Sequence, residues 1–284
     1  MSLVLPSRQY VRVLTIAGSD SGGGAGIQAD LKTMAALGCY GMSAVTALTA
    51  QNTRGVTGIH APPAEFLTAQ LDAVLTDIGA HAVKIGMLHS AEVASVVAQA
   101  IDRYQLHQVV LDPVMVSATG ARLIEPSASD AIVRELFPRS SIITPNIDEA
   151  GLLLGEPVRS TDDMAPAAQA LLAMGAKTVL LKGAHLPGDE VQDLLASVDS
   201  SGRPVVHAMT APRVNTLNLH GAGCTLSSAI AAYLALGLPL LEAVEASRVY
   251  VREALQAGAD VKTGEGVGTL NHAFAPTPTR KLPL

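Results

Sequence analysis

The sequence predicts an α/β protein, built on a doubly wound, mostly parallel β-sheet with helices on both faces. Short apolar runs alternate with amphipathic segments along nearly all of the 284 residues, which is the order of elements in such sheets. Hydrophobic residues make up 49% of the chain, aromatic residues only 3%, and Trp is absent. The core must therefore consist of Ala, Val, Leu and Ile, as is usual where helices cover buried parallel strands.

Each short apolar run that is followed by a turn or a helical pattern predicts a strand. The predicted strands are residues 11–17, 42–50, 83–85, 109–111, 141–144 and 178–181. Apolar residues at helical spacing predict helices at 26–37, 64–77, 91–104, 149–154 and 164–174. An antiparallel pair follows at 194–198 and 205–208, and then two helices at 225–236 and 240–257. We expect an N-terminal extension at residues 1–10, a single domain at 11–272, and a loose, proline-containing tail at 273–284.

Charge and cysteine content exclude several classes of protein. The net charge of −6 argues against a nucleic-acid partner, because phosphate backbones require a basic surface. Two uncharged stretches, residues 33–53 and 225–241, are interrupted by Gly, Pro or amide residues and do not predict membrane spans. The chain begins without an apolar secretion signal, and its two cysteines lack metal-binding spacing. We expect a soluble, cytoplasmic protein that binds small molecules, without nucleic-acid or membrane partners.

The strongest candidate for a functional element is HGAGC at residues 220–224, which leads directly into an apolar helical run. Backbone N–H groups at a helix N-terminus bind anions, and the helix dipole favours negative charge there. The same field is expected to lower the pKa of Cys224. A phosphate site beside a proton acceptor is what phosphoryl transfer to an alcohol needs. The alternative is a tight turn, with Cys224 as a small buried hydrophobe.

A second glycine-rich loop, GSDSGGGAG at residues 18–26, separates the first predicted strand from the first helix. Residues 24–29 (GAGIQA) fit the loose G-x-G-x-x-A dinucleotide fingerprint, but no acidic residue lies between Leu31 and Ala64 to bind a ribose. A Gly-Lys dipeptide, and with it a Walker A loop, is absent from the sequence. We expect the glycines to let the backbone approach a small ligand, with Asp20 and Asp30 near its polar atoms. A flexible connection is the alternative.

Other polar residues at the predicted strand ends have a functional and a structural interpretation. Asn146 and Glu149 stand three positions apart at a helix start, which suits either a phosphate site or an ordinary capping box. Lys182 precedes a glycine at a strand end and could neutralise phosphates, although a single Lys is a weak signal. Lys84 has an equally simple interpretation as an edge charge.

Together and in this order, the segments resemble the hydroxymethylpyrimidine/phosphomethylpyrimidine kinases, the thiamine-pathway branch of the ribokinase superfamily. The resemblance extends from about Val11 to His272. The glutamine at position 51 and the cysteine at position 224 are specific to this branch. The matching segments are residues 18–30, 49–53 (TAQNT), 84–88 (KIGML), 111–115 (LDPVM), 144–146 (TPN), 181–185 (LKGAH) and 221–226 (GAGCTL).

The resemblance implies a ribokinase-like fold, ATP and Mg²⁺ as cofactors, and a homodimer. It also implies two successive transfers, first to 4-amino-5-hydroxymethyl-2-methylpyrimidine and then to its monophosphate. Cys224 would take the acceptor proton. The backbone of the preceding residues would stabilise the transferring phosphoryl group; these are Gly221, Ala222 and Gly223.

The same resemblance assigns the remaining site residues. At the acceptor, Gln51 would pair with the pyrimidine edge and Asp30 with its amino group. Met87 and Val114 would enclose the ring, next to Gly18 and Asp20. The nucleotide phosphates and water-bound Mg²⁺ would be held by Asn146, Glu149 and Lys182, and Asp112 is a further candidate for the metal.

The chain departs from the family pattern just before the glycine loop, where Leu217 and Leu219 replace a basic residue and a hydroxyl. This change would weaken phosphate affinity or the second transfer. Pyridoxal kinase activity, alone or beside the pyrimidine activity, remains an alternative, although Gln51 and Met87 favour the pyrimidine. A regulatory protein that binds the vitamin without catalysis is a further alternative.

Overall fold

A computed structural model describes residues 6–116 and 123–284; the first five residues of the expected N-terminal extension lie outside the described residues. The strands are β1 (Arg8–Tyr10), β2 (Arg12–Asp20), β3 (Tyr40–Asn52), β4 (Gly55–His60), β5 (Ala82–Ile85), β6 (Val109–Leu111), β7 (Ile142–Ile143), β8 (Thr178–Leu181), β9 (Glu190–Val198), β10 (Pro204–Pro212) and β11 (Lys281–Pro283).

Nine of these strands form one sheet, in the order β10-β9-β8-β7-β6-β5-β2-β3-β4. The central strands from β8 to β3 are parallel, and antiparallel strands flank them at both edges. All residues of β5, β6 and β8 are buried, as expected for strands covered on both faces. The predicted fold class is thereby confirmed.

Eight helices are present in the described part of the chain: α1 (Gly26–Ala36), α2 (Ala64–Asp77), α3 (Ala91–Arg103), α4 (Pro126–Ala131, continued by a π-helical turn at Ile132–Leu136), α5 (Ile147–Leu154), α6 (Thr161–Ala173), α7 (Ala222–Ala235) and α8 (Leu240–Gly258). Helices α1, α7 and α8 pack on one face of the sheet, and α2, α3, α4 and α6 on the other. Within residues 6–116 and 123–284, no helix has the length and hydropathy needed to cross a membrane.

The C-terminal tail differs from the loose segment that its prolines suggested. Strand β11 pairs antiparallel with β1, and the backbone N–H groups of Thr277 and Arg280 donate to Ala36 and Gly38. Proline is tolerated because an edge strand needs donors on one side only. The elements predicted from the sequence did not include β4 or α4. In the structure β4 forms a hairpin with β3.

Candidate active site

A cavity of about 780 Å³ lies where the central parallel strands end. Because β2 and β3 stand at one side of the sheet and β9 and β10 at the other, residues from these strands line opposite ends of the cavity. Loops at these strand ends are the usual ligand site of doubly wound folds. The structure brings nearly all predicted site residues to this cavity, and these are Gly18, Asp20, Gln51, Met87, Asp112, Val114, Asn146, Glu149, Lys182, Gly221, Ala222, Gly223 and Cys224.

The glycine loop before α7 leaves backbone donors free at the start of the helix. Gly221 adopts φ +86°, and a Cβ there would collide with the carbonyl oxygen of Gly24, so only glycine fits. The N–H of Ala222 donates to Leu219. Among the described residues, the N–H groups of Gly223 and Cys224 have no backbone acceptor and remain available to a ligand.

The expected low pKa of Cys224 is wrong. Burial raises the pKa of this thiol to about 11. The Lys84 ammonium and an N–H donated by Gly26 act in the opposite direction but do not outweigh burial. At neutral pH the free protein therefore carries a thiol rather than a thiolate at this position. Burial destabilises the thiolate by more than the helix N-terminus stabilises it.

Asp30 is not available to an acceptor, contrary to its expected role. Its side chain is fully buried and accepts hydrogen bonds from Thr15 (2.6 Å) and Ser228 (2.6 Å). Lys84, also fully buried, donates to both carboxylate oxygens at 2.9 Å. Only Lys84 of this pair reaches the cavity wall. The carboxylate thus serves as the partner that a buried lysine requires.

A second charged cluster lies below the glycine loop. Lys182 Nζ is 2.9 Å from Asp112 Oδ1 and 4.0 Å from Glu149 Oε2. A Cβ at Gly223 would lie 3.3 Å from the same Nζ. The ammonium of Lys182 therefore lies next to the loop Gly221–Cys224, called the anion loop below. Burial alone would raise the pKa of Asp112, but Lys182 and Lys84 outweigh it and lower that pKa. Burial raises the pKa of Glu149 to about 7, opposed in part by Lys182.

Asn146 and Glu149 form the capping box that the sequence allowed. Asn146 Oδ1 accepts from the Glu149 N–H, and Glu149 Oε2 accepts from the Asn146 N–H, both at 2.8 Å. The side-chain nitrogen of Asn146 (Nδ2) makes no hydrogen bond within the described residues. Both Asn146 and Glu149 line the cavity. The two residues therefore form a capping box, and the side-chain nitrogen of Asn146 is still available to a phosphate.

The expected acceptor end of the cavity, beside β2 and β3, is assembled from three segments, which are residues 18–25, Gln51 and Met87. Gln51 follows a bulge in the β3–β4 pairing, which re-aims its side chain. Met87 lies over Gly18, where a Cβ would come within 2.8 Å of the methionine methyl carbon. Asp20 is 3% exposed, and its carboxylate accepts from the backbone N–H groups of Gly22, Gly24 and Ala25. Asp20 thus orders the glycine loop that forms this end.

Oxygen ligands suit Mg²⁺, which keeps several of its waters and is held by few carboxylates. Within residues 6–116 and 123–284, no cluster of three metal-ligating side chains is formed. The two predicted candidates, Asp112 and Glu149, both line the cavity, with Lys182 between them. Both oxygens of Asp112 already accept hydrogen bonds. The donor set fits a hydrated ion reached through water, with Glu149 as the better candidate.

Sequence reasoning underestimated Lys84 and did not assign roles to Ser227, Ser228 or His220. Ser227 donates to Asp112 at 3.2 Å, and His220 joins the two glycine loops. A signal for Lys84 was present, because a single cation in the buried run AVKI must have a partner. No comparable sequence signal distinguishes the two serines from other small residues of α7.

A family model described as phosphomethylpyrimidine kinase matches residues 20–271. A hydroxymethylpyrimidine/phosphomethylpyrimidine kinase from Rhizobium meliloti (strain 1021) is 48% identical over 260 residues, which are 91% of this chain and 96% of that protein. The crystal structure of a Clostridium difficile 630 phosphomethylpyrimidine kinase shares 43% identity and a TM-score of 0.74, covering 86% of this chain and 99% of that one. A Bacillus subtilis pyridoxal kinase, in complex with ADP, is 34% identical with a TM-score of 0.85, covering 93% and 98%.

The fold and the cavity define this chain as a phosphotransferase with a ribokinase-like fold. Helix N-terminal donors, buried lysines and a separate acceptor end are the parts that such an enzyme requires. The chain belongs to the phosphomethylpyrimidine kinase family.

Proposed function

We propose that this protein transfers the terminal phosphoryl group of ATP to 4-amino-5-hydroxymethyl-2-methylpyrimidine and then to the resulting monophosphate. One observation carries the proposal: unoccupied N–H donors of Gly223 and Cys224 share a single cavity with Gln51 and Met87. The anion loop stands between the acceptor end and the opposite end, where a nucleotide would lie. The family match and the Rhizobium meliloti relative support the pyrimidine over pyridoxal as the acceptor.

Each part of the cavity has a task in this reaction. The loop N–H groups and Lys182 would neutralise charge on the transferring phosphoryl oxygens. Asn146 and Glu149 would hold the nucleotide phosphates, and Glu149 would bind Mg²⁺ through water; when bound, the ion supplies further charge neutralisation. Gln51, with Met87 and Val114 about the ring, would bind the acceptor. The ADP complex of the related Bacillus subtilis kinase supports ATP as the donor.

The role of Cys224 follows from its protonation state. A thiol that titrates near pH 11 is a poor general base in the free protein. Phosphoryl transfer depends mainly on alignment and charge stabilisation. We therefore assign to Cys224 the positioning of the acceptor hydroxyl, and it accepts the proton only if bound substrates lower its pKa.

The second transfer brings a charged acceptor into a cavity whose lysines are already paired. Lys84 is bound to Asp30 and Lys182 to Asp112. Leu219 lines the cavity, Leu217 is 83% exposed outside its lining, and neither side chain carries a charge. We expect the monophosphate to be phosphorylated more slowly than the alcohol. The resemblance also supports a cytoplasmic homodimer, and sedimentation would detect the dimer.

The test is ADP release from MgATP with the pyrimidine, its monophosphate, pyridoxal or no acceptor. Turnover with both pyrimidines is expected, while turnover with pyridoxal alone would contradict the proposal. Cys224→Ala should bind the pyrimidine but lose most turnover. Cys39→Ala is the matched control, because Cys39 is buried away from the cavity and donates to Ala232. Full turnover in Cys224→Ala would show that the hydroxyl is positioned by other groups.

A further inference from the structure

His220 lies at the contact between the two glycine loops and has no role in the proposed phosphoryl transfer. Its ring packs against Gly24, and its Nε2 is 2.8 Å from Asp20 Oδ2. The same Nε2 lies 3.4 Å from the amide nitrogen of Gln51. The residue is 9% exposed, and its backbone leads directly into the anion loop. His220 therefore contacts both the glycine loop of residues 18–26 and the side-chain amide of Gln51.

The protonation of this network follows from Asp20. Burial alone would raise the pKa of Asp20, but His220 and the backbone N–H groups of Ala25 and Gly22 lower it. Asp20 is therefore a carboxylate and can only accept hydrogen bonds. The proton of the short contact must be on His220 Nε2. A protonated Nε2 has no lone pair, so it cannot accept from the Gln51 amide nitrogen.

The contacts of Thr49, on the other side of the Gln51 side-chain amide, also indicate that its oxygen and nitrogen are exchanged. Its hydroxyl lies 2.9 Å from Ser19 O and 3.0 Å from Gln51 Oε1, and one hydroxyl proton serves one of these acceptors at a time. Turning the amide end over removes both conflicts. Gln51 Oε1 then lies 3.4 Å from His220 Nε2 and shares, as the weaker acceptor, the proton that this nitrogen donates to Asp20 Oδ2 at 2.8 Å. The side-chain N–H of Gln51 donates to Thr49 Oγ1, and Thr49 donates to Ser19 O.

We propose that His220 is a specificity-determining positioning residue, which fixes the orientation of the Gln51 amide and thereby the direction of its hydrogen bonds to the acceptor. One lone pair of Oε1 and one N–H remain for the ligand, with the oxygen on the His220 side and the nitrogen on the Thr49 side. This arrangement selects a heterocycle edge with an exocyclic amino donor next to a ring-nitrogen acceptor, and it sets which way round that edge binds.

The inference rests on the proposed pyrimidine activity and deepens it. In the aminopyrimidine the 5-hydroxymethyl group is adjacent to the 4-amino group. An amino group on the His220 side therefore turns the hydroxymethyl group toward Gly221–Cys224, the loop that immediately follows His220. A wrongly turned amide would reject the amino edge, or would bind the ring with its hydroxymethyl group directed away from the anion loop.

The test compares two acceptors, the 4-amino pyrimidine and its 4-oxo analogue, whose edge has the opposite donor and acceptor order. Wild-type protein should prefer the amino compound by at least about tenfold in kcat/KM, because a mismatched edge leaves polar groups unpaired. His220→Leu, which has no donor, should reduce this preference by about tenfold through the KM of the acceptor, with the KM of MgATP unchanged. His220→Gln, whose amide N–H can reach the Nε2 position, should restore it.

Thermal melting of each variant reports whether the fold persists. Because Asp20 loses a partner in His220→Leu, Thr49→Val provides a second measurement. It removes the group that accepts from the Gln51 amide, and it should also lower the preference. An unchanged amino-to-oxo ratio in both variants would overturn the inference and leave the kinase activity standing. A wild-type protein that phosphorylates neither pyrimidine would overturn the proposed function, and the inference with it.

Discussion

Replacing Lys84 by Met would remove one half of an ion pair whose two side chains are both fully buried. Asp30 would keep hydrogen bonds from Thr15 and Ser228 but lose its only cationic partner in the described residues. Loss of one member of a buried pair costs about 3–5 kcal/mol, mainly because the remaining charge stays unpaired. We expect the free energy of unfolding of Lys84→Met to fall by an amount in this range.

The assay is chemical denaturation followed by circular dichroism, with the double variant Lys84→Met/Asp30→Asn as the key comparison. Removing both charges should recover most of the loss, because no ion is then left buried. Lys262→Met is the matched control: its partner is Glu265 at 2.7 Å, but the two side chains are 71% and 60% exposed, so the expected loss is below about 1 kcal/mol. If Lys84→Met proved as stable as Lys262→Met, Asp30 would not be a buried charge in need of a partner, and the reasoning would fail.

Two further predictions concern the loop before α7. Alkylation of Cys224 by iodoacetamide, measured in a Cys39→Ala background, should accelerate with pH toward a midpoint near 11. A midpoint of the alkylation rate below pH 9 would restore the thiolate hypothesis. Because the pKa of Cys224 is raised from an ordinary 9.0, the contribution of the thiol to stability is complete below pH 9 and is lost as pH rises through 11. Gly221→Ala should lose most kcat/KM and more stability than Gly237→Ala, measured by thermal melting. Both glycines have positive φ, but a Cβ at Gly237 meets nothing within 4 Å, whereas at Gly221 it meets the backbone of Gly24. That collision adds about 1–3 kcal/mol to the cost of the positive φ that both variants share. Equal losses of stability in the two variants would show that the loops containing Gly24 and Gly221 are not in contact.

Local patterns were sufficient for the order and type of most elements. Helix α2 begins and ends where the apolar periodicity predicted, and β6 and β8 match their predicted bounds. These elements are recognisable because the burial of each depends on residues close together in sequence. The terminal ribbon of β1 and β11 could not be found in this way. Its partners are separated by nearly the whole chain, and neither strand has a distinctive pattern of its own.

The features of the candidate site also separate into those that local sequence predicts and those that depend on the folded chain. The sequence by itself determined the glycine loop, the capping box and the family, because motif order and backbone donors are properties of contiguous segments. Only the tertiary structure decided that Asp30 is committed to Lys84, that the Cys224 thiol is protonated, and that His220 contacts both Asp20 and Gln51. Each of these depends on desolvation or on a contact between distant segments. Such effects exist only once the chain has folded and water has been removed from around these groups.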